Sequence, residues 1–371
     1  MRLSTFNVEN MFQRARAMNR ETWAEGRLAL EDYSRLSTLI QEPEYTEAVK
    51  TELLQIMARH DGLLTAGKSE FLRLRDIRGK LLYRPRNKPV EIRVSGRRDW
   101  IGWFELEREP VKETATENTG RIIGLLDTDI LCVVEAEDRT GLKRFNADVL
   151  PTVDAHSFDQ VMLIDGNDDR GIDVVIMTRR DHRIIQIRSH VDDMDDKGII
   201  FSRDCVEYEV KTSQGNRLLL LVNHFKSKGN GKPFETAVKR RRQAGRVREI
   251  YSDRINEGFE YIAIAGDLNE VPSASPLDPL LRQGSDLTDV MVHPRFLGDE
   301  RPGTFGNGTK SGKLDYVLMS PKLSAKVTRG GIERRGVWGG RNGTLFPHLP
   351  TIQAAEDAVS DHAALWVEID I

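Results

Sequence analysis

The sequence lacks the features of a secreted or membrane-spanning protein. Its 371 residues include only two cysteines, Cys132 and Cys205, which argues against a disulfide framework and favours reduced thiols in a cytosol. The longest apolar run, at 218–222, is strand-sized and far below the roughly 18 apolar residues that span a bilayer. The N-terminus becomes polar at Asn7, before the apolar core of a signal peptide could form. We therefore expect a cytoplasmic protein without a transmembrane segment.

Charge of one sign does not dominate, but two short regions are strongly basic. The net charge is −3, so the chain as a whole is not a basic nucleic-acid binder. Residues 71–112 nevertheless hold twelve Lys and Arg against six Asp and Glu, and residues 239–248 hold six cations and no acid. Such stretches suit a polyanionic substrate. The alternative is that they are solvated faces of hairpins and helices.

Strand-like apolar runs, each ending in polar residues, recur along the chain. Near-continuous apolar runs such as ILCVV, LLLLV and IAIA favour strands that are covered on both faces. Helical patterns lie between several of them, at 116–126, 143–150 and 236–255. Strands mixed with helices, without a strict alternation, predict an α/β sandwich of mixed sheets. The predicted strands are 2–8, 129–134, 172–177, 206–210, 218–223, 261–265, 316–319 and 363–369.

Residues 14–113 do not follow this pattern of buried strands with helices between them. Two helices are predicted at 20–40 and 44–60, followed by short strands at 80–83, 90–94 and 100–106. We interpret 14–113 as an α+β elaboration, made of helices and short basic strands, that is inserted after the first strand of a single domain spanning 1–371.

The sharpest motif follows the apolar strand at 261–265. Gly266 allows a tight turn, and Asp267 and Asn269 then emerge on one side of an extended segment. A carboxylate and an amide could there hold a water molecule and a phosphate oxygen. An Asx-type turn is the alternative interpretation.

A second motif, Asp361-His362, precedes the last strand, where adjacent side chains point to different sides. One could reach a metal ion while the other addresses a phosphate, although a turn or cap would also explain the pair. Glu135 ends a buried strand, which is costly for a carboxylate unless it is paired, exposed or bound to metal.

Three more polar groups stand at strand ends, namely Asn223-His224, the following Lys226, and Asp315. Carboxylates, amides and imidazoles at strand ends describe a site for a hard metal ion beside acid and base groups, and this combination serves phosphoryl chemistry. The sequence has no HExxH, no zinc-type cysteine pairs, no Walker A loop and no G-x-S-x-G elbow, which disfavours metalloproteases, P-loop NTPases and serine hydrolases.

Seven of these segments, in order, resemble the endonuclease/exonuclease/phosphatase superfamily, which has the deoxyribonuclease-I-like fold. The resemblance covers 1–13 and about 114–371. It implies a four-layer α/β sandwich, in which two mixed β-sheets are flanked by helices and the site lies at one end. The segments are TFNVE at 5–9, DILCVVE at 129–135, RGIDV at 170–174, VNHFKS at 222–227, GDLN at 266–269, LDYV at 314–317 and SDH at 360–362.

The resemblance also implies Mg²⁺ or Mn²⁺. Asn7 and Glu135 would hold the metal, joined by Asp361 and Glu9.

The same resemblance implies the acid–base roles. Asp267 would orient or deprotonate the attacking water, and Asn269 would help to fix the phosphate. His362, oriented by Asp315, would stabilise the transition state or transfer a proton. His224 would contact the phosphate or assist the leaving group.

Arg170, Lys226 and Asn223 are the predicted substrate-binding residues. For Arg170, a salt bridge with Asp168 or Asp169 is the alternative to a phosphate contact. The chain departs from many relatives in two places. Val134 stands where a Gln commonly precedes the metal-binding Glu, and the segment at 170–173 lacks a common Tyr.

Three functions compete at this point. A nuclease on DNA, with RNA as the second candidate, would use the basic stretches, and Trp100, Trp103 and Phe104 would either stack on bases or pack in a core. A phosphodiesterase or phosphatase on a small or lipid phosphoester would use 14–113 as a lid. A binding module without activity is disfavoured, because every principal position carries a competent residue.

Overall fold

A computed structural model describes residues 1–9, 11–18, 23–168, 170–229, 232–282 and 284–371. Its strands, in chain order, are β1 (Arg2–Asn7), β2 (Gln13–Ala15), β3 (Leu72–Arg78), β4 (Ile101–Leu106), β5 (Arg108–Pro110), β6 (Ile130–Ala136), β7 (Gln160–Ile164), β8 (Asp173–Thr178), β9 (Arg183–Arg188), β10 (Met194–Asp195), β11 (Gly198–Ile199), β12 (Cys205–Lys211), β13 (Arg217–His224), β14 (Tyr261–Asp267), β15 (Thr288–Asp289), β16 (Phe296–Leu297), β17 (Asp315–Met319), β18 (Val327–Glu333) and β19 (Ala364–Ile369).

Helices connect many of these strands, and short 3-10 and π turns supplement them. The α-helices are α1 (Trp23–Leu39), α2 (Glu47–Ala58), α3 (Leu63–Ala66), α4 (Glu113–Leu126), α5 (Arg139–Arg144), α6 (Pro233–Asn256), α7 (Asp278–Leu281) and α8 (Pro321–Ser324). Among the described residues, no helix is long and apolar enough to cross a bilayer. Both cysteine thiols are buried and free.

The chain divides into two compact units. The first, called here the sandwich unit, is formed by Met1–Phe12, Val111–Lys228 and Lys232–Ile371, and the second, the inserted unit, consists chiefly of Gln13–Pro110. The predicted boundaries 14–113 lie close to those of the inserted unit. That both units act as one domain stays a prediction.

The sandwich unit contains two large mixed sheets. One has the order β16-β18-β19-β1-β6-β8-β7, and the other has the order β15-β17-β14-β13-β12-β9. Strands β1 and β6 pair in parallel, as do β13 and β14, whereas β17 and β19 run antiparallel to their neighbours β14 and β1. This arrangement decides which strand ends meet at one end of the unit.

Three apolar layers hold the sandwich unit together. Alternate residues of both sheets, such as Cys132 and Leu220, fill the space between the sheets. The outer face of the first sheet packs against α4, and that of the second packs against α6 through residues such as Leu221 and Val247. The predicted four-layer α/β sandwich of two mixed sheets flanked by helices is thereby confirmed.

The inserted unit is an α+β unit with its own core. Helices α1 and α2 pack with the two-stranded ribbon β3–β4 around Trp100 and Phe104, both of which are almost completely buried. The separate strands predicted at 80–83 and 90–94 are wrong, because that stretch is a loop closed by one bridge between Tyr83 and Glu91. The pairing partner of β4 is β3, which had not been predicted.

Candidate active site

The polar strand-end residues that were predicted from the sequence lie together at one end of the sandwich unit. Parallel strands end at the same edge of a sheet, and antiparallel neighbours begin there, so the chain ends of β1, β6, β13 and β14 meet the starts of β17 and β19. The residues at these positions are Asn7, Glu135, His224, Asp267, Asp315 and, two residues before β19, His362.

Asp267 is held by the turn that follows β14. The backbone N–H of Asn269 donates to Oδ1 of Asp267 at 2.8 Å, and its side-chain amide donates to Oδ2 at 3.1 Å. The same amide donates to the carbonyl of Phe225 at 3.1 Å, so Asn269 ties Asp267 to the end of β13. A glycine is required at 266, because φ is +127° and a Cβ would lie 2.0 Å from the Asn223 carbonyl oxygen.

His362 lies between two aspartates. Its Nδ1 is 2.7 Å from Oδ2 of Asp315, and its Nε2 is 3.9 Å from Oδ2 of Asp267. Burial alone would lower the pKa of His362, but the carboxylates of Asp315, Asp361 and Asp267 together raise it well above its usual value. The imidazole is therefore protonated at neutral pH, so Nδ1 donates to Asp315 while Nε2 carries its proton on the side of Asp267.

The pKa of Asp267 is also raised, but in this case burial is the main cause. Burial, together with the negative charge of Asp315, raises the pKa of Asp267 to about 7. Near neutral pH this carboxyl group exchanges its proton readily, which a general base for water requires.

Asn7, Glu9 and Asp361 are brought together by backbone bonds. The Glu9 N–H donates to Oδ1 of Asn7 at 3.0 Å, and the Asp361 N–H donates to a Glu9 carboxylate oxygen at 3.0 Å. The Asn7 amide donates to Oδ2 of Asp267 at 3.3 Å, which links this group to Asp267 and His362.

Glu135 and His224 face each other at the centre of this end. Nε2 of His224 is 3.5 Å from Oε1 of Glu135 and 3.9 Å from Oδ2 of Asp267. Burial, followed by the positive charges of Arg203 and Arg170, lowers the pKa of His224 well below its usual value, so this imidazole is neutral. Glu135 sits at an irregularity in the β6–β8 pairing and has a φ of +68°.

Arg170, which was predicted to contact phosphate, instead forms a salt bridge within its own loop. The salt bridge with Asp168 is bidentate, with both N–O distances at 2.9 Å, and Asp168 also lies 2.7 Å from Nε of the buried Arg203. Asp169, the other predicted partner, lies outside the described residues. Lys226 is close to this group, and burial followed by the charges of Arg203 and Arg170 lowers its pKa to about 8.

Asn223 is the predicted site residue that is not brought into this group. It precedes His224 in β13, so its side chain points to the opposite face of the sheet. There its amide donates to the carbonyl of Leu221 at 3.0 Å, on the side that packs against α6.

Three neighbours of the site carried no sequence signal for their role. Arg203 is buried and donates to the Phe225 carbonyl at 2.9 Å. The hydroxyl of Ser360 donates to the Asn7 carbonyl at 2.8 Å and accepts from the His362 N–H at 2.9 Å. The ring of Phe305 lies against the His362 ring, with centroids 5.0 Å apart.

The basic stretch 239–248 belongs to α6, and the structure uses its arginines internally. Each of them pairs with an acidic residue of the sandwich unit, which supports the structural alternative to a nucleic-acid surface. The pairs are Arg240–Glu270, Arg241–Asp278, Arg242–Asp195, Arg246–Asp193 and Arg248–Asp286.

Comparison with known proteins gives a family match and a fold match. Residues 111–326, more than half of the chain, match the model of the Endonuclease/Exonuclease/phosphatase family. No curated protein matches the sequence.

Solved structures with the same fold share little sequence with the chain. A mannosyl-6-phosphatase from Bacteroides thetaiotaomicron has a TM-score of 0.50 at 19% identity, covering 69% of this chain and 92% of that one. Truncated TDP2 from Caenorhabditis elegans has a TM-score of 0.47 at 16% identity, with coverages of 68% and 90%. The human nocturnin catalytic domain has a TM-score of 0.48 at 14% identity, with coverages of 71% and 88%. Because the family model covers more than half of the chain, the chain belongs to the endonuclease/exonuclease/phosphatase family, whose fold serves phosphoester hydrolysis and whose members generally depend on a divalent metal ion.

Proposed function

We propose that this protein is a divalent-metal-dependent phosphodiesterase that cleaves nucleic acid, DNA in preference to RNA, by in-line attack of water. The observation that carries the proposal is the spatial arrangement of three side chains, in which His362 lies between Asp315 and Asp267. A protonated imidazole is fixed on one side by a carboxylate and faces, 3.9 Å away, a carboxyl group whose pKa is about 7.

The residues fit a hard divalent cation. Glu135 is buried and, among the described residues, forms no ion pair with a lysine or arginine, while its neighbour His224 is neutral. A buried carboxylate of this kind is costly unless a cation offsets its charge. Asn7 and Glu135, with Glu9 and Asp361, would supply the oxygen ligands that Mg²⁺ or Mn²⁺ prefers.

A second group could also hold a metal ion by geometry. One ligand atom from each of Asp267, Asp315 and His362 lies within 4.8 Å of the others. In this group Nδ1 of His362 is already bound to Asp315 at 2.7 Å, and the Asp267 carboxylate accepts from Asn269 and Asn7. We therefore assign this group to proton transfer and charge stabilisation, and the metal to Asn7 and Glu135.

Different residues of the chain would accept and donate the protons of the reaction. Asp267, oriented by Asn269, accepts a proton from the attacking water. His362, oriented by Asp315, donates from Nε2 to a phosphate oxygen or to the leaving group. His224 would contact the phosphate as a neutral donor. When bound, the divalent cation would neutralise the charge that develops on the phosphate oxygens.

The nucleic-acid part of the proposal is supported by the excess of cations in residues 71–112, most of which belong to the inserted unit. Residues 71–112 carry twelve Lys and Arg against six Asp and Glu, and polyanion binding depends on such an excess. The second candidate is a phosphodiesterase or phosphatase on a small or lipid phosphoester. It is favoured by the internal pairing of the α6 arginines, which removes one of the two basic surfaces.

A substrate panel tests the proposal. Purified protein with Mg²⁺ or Mn²⁺ is expected to cut plasmid, linear or single-stranded DNA, and to lose this activity in EDTA. Asp267→Ala and His362→Ala are expected to abolish hydrolysis while the circular dichroism spectrum is unchanged. Turnover of bis(p-nitrophenyl) phosphate with all nucleic acids left intact would favour the second candidate. Near-normal activity of both variants would overturn the assigned centre.

A further inference from the structure

Some cations of the inserted unit pair with acids, among them Arg73, Arg75 and Arg93, but others do not. Arg78, Arg84 and Arg97 donate to backbone carbonyl oxygens rather than to acids. In the described part of the chain, Arg86 and Arg98 have no acidic partner within ion-pair distance. Positive charge is therefore left without a counter-charge on this unit, whereas α6 is internally neutralised.

The ribbon β3–β4 presents two different faces. Its register places Leu74 opposite Phe104 and Arg75 opposite Trp103. The first pair is buried in the core of the inserted unit, and the second pair is exposed. Strand alternation thus separates a packed face from an outward face.

Trp103 is the exposed aromatic residue of this outward face. Its ring is 43% exposed, and its Nε1 donates to Oε1 of Glu105 at 2.8 Å, which fixes the orientation of the indole. Ile77 and Ile101 beside it are also exposed, at 64% and 36%. Trp100 and Phe104, by contrast, lie in the core. Of the three aromatics considered for stacking, the structure therefore leaves Trp103 available.

Cations border this apolar surface at the tip of the ribbon. Arg78 pairs in register with Ile101, and its guanidinium donates to the carbonyl of Arg98 at 2.8 Å. That bond brings the exposed Arg98 to the end of β3. An immobilised aromatic ring with aliphatic neighbours can stack on a nucleobase, and the nearby cations can bind the phosphates beside that base.

We propose that the outward face of the ribbon, formed by Ile77, Arg78, Arg98, Ile101 and Trp103, docks single-stranded nucleic acid. Arg75 also lies on this face, but Glu105 neutralises it at 2.7 Å, so it is not counted among the phosphate contacts. The inference deepens the proposed function and rests on it, since it names the form of the substrate. A duplex hides its base faces by stacking, so the Trp103 ring would gain a partner only from an unpaired base. The phosphates on either side of that base meet Arg78 and Arg98.

Binding without cleavage tests the inference. Fluorescence anisotropy of a labelled 15-nucleotide oligothymidylate is measured in EDTA with the full chain, and compared with the same strand paired to oligoadenylate. Trp103→Ala is expected to weaken single-strand binding roughly tenfold and duplex binding less than twofold. Trp103→Phe, which keeps a stacking ring, is expected to bind nearly as well as the unaltered protein. Arg98→Ala is expected to lower the slope of log affinity against log salt by about 0.7.

Matched controls come from the sandwich unit. Phe234→Ala removes an aromatic side chain that is 79% exposed on α6, and Lys211→Ala removes an exposed cation at the end of β12. Neither change is expected to alter binding. Equal binding by Trp103→Ala and Phe234→Ala, or equal affinity for single strand and duplex, would overturn the inference.

Hydrolysis of bis(p-nitrophenyl) phosphate separates this inference from the proposed function. That diester has no nucleobase to stack and no flanking phosphate, so Trp103→Ala is expected to turn it over at the unaltered rate. Cleavage of DNA together with unaltered single-strand binding by Trp103→Ala would overturn the docking surface and leave the proposed function intact. Failure of the unaltered protein to hydrolyse either substrate would defeat the proposed function itself.

Discussion

Asp315 fixes the imidazole of His362, with 2.7 Å between Oδ2 of the aspartate and Nδ1 of the histidine. Both residues are buried, and Asp315 begins β17 while His362 precedes β19, so the pair joins the two sheets of the sandwich. This relationship gives Asp315 a positioning role that can be separated from substrate binding.

Asp315→Asn is expected to lower kcat by roughly 10²–10³ while KM changes less than about threefold. The amide keeps the shape of the side chain but removes the carboxylate that raises the pKa of His362 most strongly, so that this pKa falls. The measurement is steady-state hydrolysis of a chromogenic diester. Asp286→Asn is the control, because it removes a carboxylate that pairs with Arg248 away from the site. Equal kinetics of the two variants would contradict the assigned role.

Glu135→Gln is expected to change stability in two opposite ways. In EDTA the melting temperature should rise, because a buried charge without a paired cation has been removed. In the unaltered protein, Mn²⁺ at a hundred times its Kd should add about 2.7 kcal/mol to the free energy of unfolding, and the variant should lose this gain. Differential scanning calorimetry with and without Mn²⁺ measures both effects.

Glu249→Gln serves as the control for that experiment, since Glu249 is an exposed residue of α6 that pairs with Arg246. Its response to Mn²⁺ should equal that of the unaltered protein. A full Mn²⁺ response in Glu135→Gln would show that this carboxylate is not a ligand.

Asp173→Asn is expected to flatten the pH dependence of stability. Burial raises the pKa of Asp173 to about 7 in the folded protein, against about 4 in the unfolded chain. Between these two values the folded state holds a proton that the unfolded state has released, so the stability contributed by this group is full below pH 4 and is lost as pH rises through 7. Asparagine keeps the acceptor for the Gly166 N–H without the charge. Melting curves at pH 5 and pH 8 should therefore differ less in the variant, and an unchanged difference would refute the prediction.

Gly266→Ala is expected to unfold the protein or to cost more than about 4 kcal/mol. Its Cβ would lie 2.0 Å from the Asn223 carbonyl oxygen, at a φ of +127°. Gly245→Ala is the matched control, because Gly245 lies in α6 with no atom within 4 Å of an added Cβ. That change should stabilise the helix by about 0.5–1 kcal/mol. Urea unfolding of both variants compares them directly, and similar curves would contradict the assigned steric conflict.

The sequence was informative where an apolar run and a polar residue share one strand. The run that ends at Gly266 indicates both a buried strand and the exit of Asp267 and Asn269 at its end. Because parallel and antiparallel neighbours meet at one edge, the ends of several such strands could be expected to form one group. The α/β sandwich of mixed sheets followed from the same patterns, whereas its four layers followed from the family resemblance.

Long-range pairing was not predictable from the sequence. The burial of Arg203 depends on Asp168, and the α6 arginines find acids on loops that no local pattern connects to them. Strand β3 was not predicted, although its alternation of leucine and arginine is typical of a strand. Packing against the rest of the inserted unit decides which of those residues face outward.

The position of β19 between β1 and β18 has a consequence for the order in which the protein folds. Asn7 and His362 are far apart in the sequence, and the β1–β19 pairing brings them to the same end of the sandwich unit. Contacts over so long a separation require loop closure before they can form, so they are slow to form. The candidate site is consequently complete only after β1 and β19 have paired, and we expect it to assemble late in folding.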